Sequence, residues 1–236
     1  LDTMTLELRD GSTTLVSIPI ISKGKPTSYY ETPGGSYVSD YKENLHFSSI
    51  GHVYMPYSTH IFGNFFIHGI PYYPNGEKVS SNYSGGCIRL SDADAKQVYD
   101  FVEKGTPILI TKKDISYSNT VITPRDMTSL MVATISLEFL TQDNPIAFNT
   151  TTTTRRTLLL KALHGNESVT KLFANQLGKE VFIALMNQKA QAIGMKDTLF
   201  TDITSGASTT EKDSVIFYNY LANYKSYLFS TSTLTD

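Results

Sequence analysis

The 236-residue chain contains no tryptophan and a single cysteine, Cys87. One cysteine excludes an internal disulfide, so the thiol is either inert packing or a reactive group. No run of eighteen apolar residues is present, which argues against a spanning helix. The start, LDTMTLELRD, lacks the basic segment and apolar stretch of a signal peptide. It also lacks an initiator Met, so the expectation is a chain that begins inside a longer precursor, with an export signal or membrane anchor lost upstream. Charge of one sign is equally scarce: Lys+Arg 20 against Asp+Glu 22 gives a formal net charge of −2, and no basic excess speaks for a nucleic-acid partner. No repeat of fixed period is visible.

What the chain does have is aromatic and hydroxylated residues. Its 15 Tyr and 12 Phe, with many Ser and Thr, suit pleated surfaces, and its length allows one large domain or two ordinary ones. Residues 1–113 read as short strands and turns: TLELRDGSTTLVSIPI is a hairpin pattern around Asp10-Gly11, GNFFIHGI an apolar strand, and TPGGSYVSD, YYPNGEKV and YSGGC carry turn signals. LSDADAKQVYDFVEKG predicts a short helix capped by Ser91 or Asp92, apolar at Ala95, Val98 and Phe101/Val102 and ended by Gly105, before a strand TPILIT. From residue 123 helical periods take over, in MTSLMVATISLEFL, RRTLLLKALHG, SVTKLFANQLGKEVFIALMNQKAQAIG and DSVIFYNYLANYKSYL. Residues 114–122 are expected as a linker, and NTTTTT (149–154) as a solvated loop.

Cys87 lies in IHGIPYYPNGEKVSSNYSGGCIRL (67–90). A thiol attacks as its thiolate, so a nucleophilic Cys needs a base or a cationic neighbour to shift it from a free pKa of about 8.5. His68, at the end of an apolar strand and separated from Cys87 by a turn-rich loop, is the candidate. Gly85 and Gly86 allow close approach of a substrate and leave amides free for a developing oxyanion, for which Gly86 and Cys87 are the candidate donors. Ser84 is placed to orient the loop or the substrate, and Arg89 to hold a carboxylate or brace the loop. Taken singly, a lone Cys is ordinarily inert packing and a strand-end His a satisfied imidazole; the conjunction points to an acyl-transfer site. His46, His52 and His60 have no metal-ligand spacing and read as surface or strand histidines, His60 nearest the cleft. Tyr54, Tyr57, Tyr72, Tyr73 and Tyr83 are either groove wall or ordinary packing.

The pair IHG and SGGCIRL resembles the signature of the L,D-transpeptidase catalytic domain, with SIPIISKGKPT and TPGGSYVS resembling that family's upstream strand, turn and Pro-x-Gly-x-Tyr segment. The resemblance covers about residues 5–113. It implies Cys87 as nucleophile, His68 as general base, Gly69 as the backbone that orients the imidazole, and Ser84, Gly85 and Arg89 as supporting substrate-site residues. It further implies peptidoglycan stem peptides as partners, a tetrapeptide donor and an amine acceptor joined by a 3→3 cross-link or cut by water, carbapenems as inhibitors, an extracytoplasmic location and no metal or cofactor. One departure is Gly85, where the family has His.

The later stretch FIALMNQKAQAIGMKDTLF, with TSGASTTEKD, resembles the D-alanyl-D-alanine carboxypeptidases among the low-molecular-weight penicillin-binding proteins. Its catalytic parts are decayed. HGN puts His164 where that family has Ser and keeps Asn166; SLMV keeps Ser129 but has Val132 in place of Lys; no Lys-Thr-Gly strand follows. SVTK, Ser168 to Lys171, fits Ser-x-x-Lys but in the wrong order along the chain. The fold expectation is therefore α+β in two domains: a mainly-β L,D-transpeptidase-like sandwich over 1–113 and a mainly-α, inactive penicillin-binding-protein-like lobe over 123–236. Sortases place Arg farther from Cys, and papain-like proteases put Cys before His, so both fit less well. The competing non-enzyme expectation is a pseudoenzyme that binds stem peptides without acylation.

Overall fold

The computed structural model describes residues 1–113, 115–139, 145–148 and 151–231. It is a mixed α+β chain that divides into two compact units, Leu1–Ile115 and Ser116–Asp236. Among the described residues no helix is long and apolar enough to cross a membrane.

The N-terminal unit begins with the hairpin of β1 (Thr5–Asp10) and β2 (Thr13–Pro19), turned at Gly11 with φ +56°. That left-handed conformation is the one a two-residue hairpin turn requires and glycine adopts without penalty. β3 (Gly35–Val38) pairs antiparallel with β8 (Pro107–Ile110). Between them in the chain lies a four-stranded sheet in the order β4 (Lys42–Ser48), β5 (Val53–Phe62), β6 (Phe65–His68), β7 (Ile88–Arg89). The first two pairings are antiparallel and β6–β7 is parallel. A parallel pair needs a long crossover, which the 69–87 loop supplies.

All four residues of β6 are buried, as are Ile88 and Leu90. A run apolar on both faces reads as a central strand, and β6 is the strand that ends in His68. α1 (Asp92–Phe101) comes next, with Ser91 Oγ accepting the Asp94 N–H at 3.1 Å. Ala95 and Val98 are the core positions of this helix.

The C-terminal unit is built on α2 (Pro124–Phe139), whose side chains from Met127 to Glu138 are almost all buried. A helix apolar around its circumference belongs at the centre of a bundle. α3 (Arg155–Leu163), α4 (Glu167–Leu177), α5 (Lys179–Ala192), α6 (Glu211–Tyr224) and α7 (Ser226–Thr231) complete the helices.

Three sequence expectations change here. The single long helix expected over 168–194 is two, because Gly178 at φ +87° breaks the path between α4 and α5. Thr151–Thr154 is not a loop but β10, paired antiparallel with β9 (Pro145–Phe148); residues 149 and 150 of the same stretch lie outside the described residues. β-branched Thr suits a pleated strand, which outweighs the low complexity of the run. Of the expected linker, residue 114 lies outside the described residues, and 116–122 is fastened to α6. The N–H groups of Ser116 and Ser118 donate to Asn223 Oδ1 at 2.8 Å and Asn219 Oδ1 at 2.7 Å, and that of Ile122 to Ser214 Oγ at 2.6 Å.

Candidate active site

In the parallel β6–β7 pair Ile67 stands opposite Ile88 and His68 opposite Arg89. Side chains alternate between faces along a strand, so Phe66, His68 and Arg89 share one face while Ile67 and Ile88 share the other. Cys87, immediately before β7, falls on the His68 face as its diagonal neighbour. The buried isoleucines hold this register, because a slip of one residue would turn His68 and Cys87 into the opposite face.

His68 is 1% exposed, and its Nδ1 lies 2.6 Å from the Gly69 carbonyl oxygen. That carbonyl only accepts, so Nδ1 carries the proton and the neutral ring presents Nε2 as a base. Gly69 is sterically required: a Cβ there would lie 2.5 Å from Asp92 Oδ1. The same Oδ1 accepts the Ile70 N–H at 2.8 Å. Asp92 thus secures the backbone that orients the imidazole.

The loop carrying the thiol is tied down from two sides. Ser84 Oγ accepts the Gly86 N–H at 3.0 Å and donates to the Cys87 carbonyl at 2.5 Å. Thr32 Oγ1 donates to the Gly86 carbonyl at 2.8 Å and accepts the Gly24 N–H at 2.9 Å. Gly86 has φ +116°, and a Cβ on it would sit 2.1 Å from Phe65 Cε1. Its N–H, expected as an oxyanion donor, is already occupied by Ser84, and the Cys87 N–H acts on its own sulfur, helping to lower the thiol pKa. Gly85 is exposed, and a Cβ there meets nothing within 4 Å.

Arg89 Nη1 donates to the Ser81 carbonyl at 3.1 Å and to Ser81 Oγ at 3.0 Å, while its buried Nε has no hydrogen-bond partner among the described residues. Burial lowers the pKa of the guanidinium. One edge of the group braces the loop, and Nε is left for an acceptor.

Electrostatics correct one expectation. Burial pushes the Cys87 thiol up to about 11, against a backbone hydrogen bond at Phe66 and the nearby Arg89 charge, which pull it down. Burial likewise pulls His68 down to about 4, although its bond to Gly69 acts the other way. No cationic neighbour wins over desolvation. At neutral pH the resting pair is a thiol and a neutral imidazole, with Cys87 Sγ directed at the Asn64 carbonyl at 3.7 Å.

Thr32, Asn64 and Asp92 join the site without having been expected there. Only Thr32 carried a signal, as the first residue of the TPGG turn segment. Of the other histidines, His46 stacks on Phe66 at 4.5 Å between ring centroids, and His52 is exposed at φ +50°. Tyr54 stacks on Tyr72 at 5.5 Å and Tyr57 packs edge-on against Tyr99 at 6.0 Å, while Tyr73 and Tyr83 are exposed. In the C-terminal unit Val132 is wholly buried on α2, Asn166 caps α4 by accepting the Val169 N–H at 3.1 Å, and His164 Nδ1 donates to the Leu160 carbonyl at 2.7 Å. Ser168 and Lys171 are exposed, and Lys171 pairs with Glu167 at 3.7 Å.

Residues 1–110 match the family model of the L,D-transpeptidase catalytic domain, YkuD. None of the curated proteins matches the chain. Among solved structures, the chain is similar to a fused zinc-dependent amidase/peptidase/peptidoglycan-binding domain-containing protein from Clostridium acetobutylicum, at 28% identity over 42% of this chain and 41% of that one, TM-score 0.35. It is similar to the L,D-transpeptidase LdtMt1 in complex with imipenem, at 26% identity over 47% of this chain and 55% of that one, TM-score 0.39. An L,D-transpeptidase from Mycobacterium smegmatis is similar at 24% identity over 47% and 55%, TM-score 0.38. The chain spans about half the length of these structures.

Proposed function

We propose that the N-terminal unit is a cysteine-dependent L,D-transpeptidase of peptidoglycan, acting outside the cytoplasm. The observation that carries this reading is the β6–β7 register, which puts the chain's one thiol and a Nδ1-anchored imidazole on the same face. Cys87 Sγ attacks the carbonyl joining the third residue of a tetrapeptide stem to its terminal D-Ala, while the thiol proton passes to His68 Nε2. With the thiol high and the imidazole low, attack and proton transfer are coupled, rather than preceded by a resting ion pair. As the thiol becomes a thioester, the Cys87 N–H turns from its own sulfur to the developing oxyanion. His68 then returns the proton to the leaving D-Ala amine. The thioester is taken by the side-chain amine of a second stem, giving a 3→3 cross-link, or by water, giving carboxypeptidase activity. Arg89 and the loop of Ser84 and Gly85 line the stem-peptide side.

The C-terminal unit is proposed as an inactive lobe related to part of a D-alanyl-D-alanine carboxypeptidase. Val132 supports this reading: a buried valine stands where Ser129 would need an activating ammonium.

A non-catalytic stem-peptide module is the second reading, favoured by the raised Cys87 thiol. Intact mass after exposure to a carbapenem, with peptide mapping, separates the two. An adduct on Cys87 supports the transpeptidase, one on Ser129 or Ser168 contradicts the inactive lobe, and none favours the binding module.

A further inference from the structure

Resting on the assignment of Cys87 as nucleophile, the structure points to a second group that governs the thiol. We propose that Asp40 and His60 are positioning residues: they clasp the turn between β5 and β6 and hold its Asn64 carbonyl against the Cys87 S–H, keeping the proton parked until substrate arrives.

Each link is a contact. His60 Nδ1 lies 2.5 Å from Asp40 Oδ1, and His60 Nε2 lies 2.9 Å from the Gly63 carbonyl oxygen. The residue is 9% exposed, its ring stacked on Tyr41 at 4.5 Å and edge-on to Phe66 at 5.0 Å. Its own backbone N–H donates to the Tyr41 carbonyl at 3.1 Å. His60 is therefore fixed on all sides and transmits that fixity to Gly63.

Gly63, at φ +61°, and Asn64 form the turn closed by the Phe62–Phe65 pair. The carbonyl one residue beyond the clasped one is the acceptor of the Cys87 thiol, at 3.7 Å. The β5–β6 register shifts between His60 and Phe62. An irregularity of this kind twists a strand end and re-aims the residues beyond it; here it brings the turn over the thiol. At rest, then, the thiol proton is directed to Asn64 and not to the imidazole that takes it during attack. The turn must release the proton before His68 receives it.

The test is the rate of Cys87 alkylation by iodoacetamide, followed by intact mass on the full chain at one pH. His60→Phe keeps a ring for Tyr41 and Phe66 but loses both hydrogen bonds, and His60→Gln keeps a donor for the Gly63 carbonyl. The clasp predicts alkylation about five-fold faster in His60→Phe, as expected for losing one weak hydrogen bond to the protonated thiol, and a return most of the way to the wild-type rate in His60→Gln. A purely structural role for the ring would not separate the two variants. If His60→Phe loses its far-ultraviolet circular dichroism, Asp40→Asn replaces it, expected at about twice the wild-type rate because Nδ1 loses its carboxylate partner. A wild-type rate in the folded His60→Phe, or in Asp40→Asn when it stands in, overturns the clasp; so does His60→Gln reacting as fast as His60→Phe. Alkylation needs no turnover, so failure of carbapenem acylation in the wild-type chain would count against the transpeptidase reading and leave this outcome to be read separately.

Discussion

The N-terminal unit buries His68 and half-buries Cys87 with no ion pair to either among the described residues, whereas the C-terminal unit buries Glu138, Lys189 and Lys225 against one another. Glu138 Oε1 lies 2.9 Å from Lys189 Nζ, 3.0 Å from Lys225 Nζ and 3.2 Å from the Tyr220 hydroxyl. Lys189 also sits over the Tyr220 ring at 4.8 Å. In the first unit burial holds two titratable groups neutral. In the second, a buried carboxylate lies between two ammonium groups that attract it, and its Oε2 has no hydrogen-bond partner among the described residues. Desolvation is common to both, so the difference lies in whether a counter-charge is supplied.

Removing the thiol tests the first half of that contrast with the largest effect. Cys87→Ala is expected to abolish acyl transfer while circular dichroism and thermal unfolding stay near wild type, because the change removes a single side-chain atom. Next in size, Glu138→Gln removes the carboxylate charge that lies between two buried ammonium groups and should destabilise the C-terminal unit by about 3–5 kcal/mol, read from urea unfolding at 222 nm. Stability close to wild type would mean that the ion cluster is not buried as described.

The cluster also has a pH signature. Burial pulls Lys189 down to about 8 from its ordinary value of 10.5, the Glu138 charge opposing. The unfolded chain therefore binds more protons between those two values, and the contribution of Lys189 to stability rises with pH across that window. Glu138 is held below its ordinary 4.5 by Lys189 and Lys225, against desolvation, so its contribution is present above that value and is lost as pH falls. Lys189→Met should remove the alkaline rise in urea midpoint.

Two glycines sharpen the contrast within the thiol loop. Gly86→Ala forces a Cβ into the Phe65 ring at positive φ and should cost about 1–3 kcal/mol along with acylation. Gly85→Ala meets open space and should change stability by less than about 0.5 kcal/mol. Thermal unfolding of both variants measures the difference, and equal losses would contradict the loop geometry.

The sequence made the thiol, the imidazole and the glycines between them legible because their meaning is local: a strand end, a turn-rich loop and a residue with no side chain. The direction of the pKa shifts was not legible. It depends on the burial that the fold imposes on both groups, and a neighbouring His invites the opposite expectation. Asn64 acts through a backbone carbonyl, which its side-chain identity does not announce, and Asp92 reads as an ordinary first-turn helix residue. Helical periodicity marks apolar positions and leaves charges to the surface, so Glu138, Lys189 and Lys225 gave no sign of meeting in a core. Gly178 ended a helix inside a period that otherwise continued. Thr151–Thr154 formed a strand because β-branched residues pair well even in a monotonous run.

The most direct measurement of the central claim is mass spectrometry of the full chain and of Cys87→Ala after incubation with a disaccharide-tetrapeptide stem. A transpeptidase built on Cys87 predicts a thioester mapped to that residue and 3→3 linked dimers in the wild-type reaction, with neither in the variant. Dimers formed by Cys87→Ala, or a wild-type chain that binds the stem and never acylates, would contradict it.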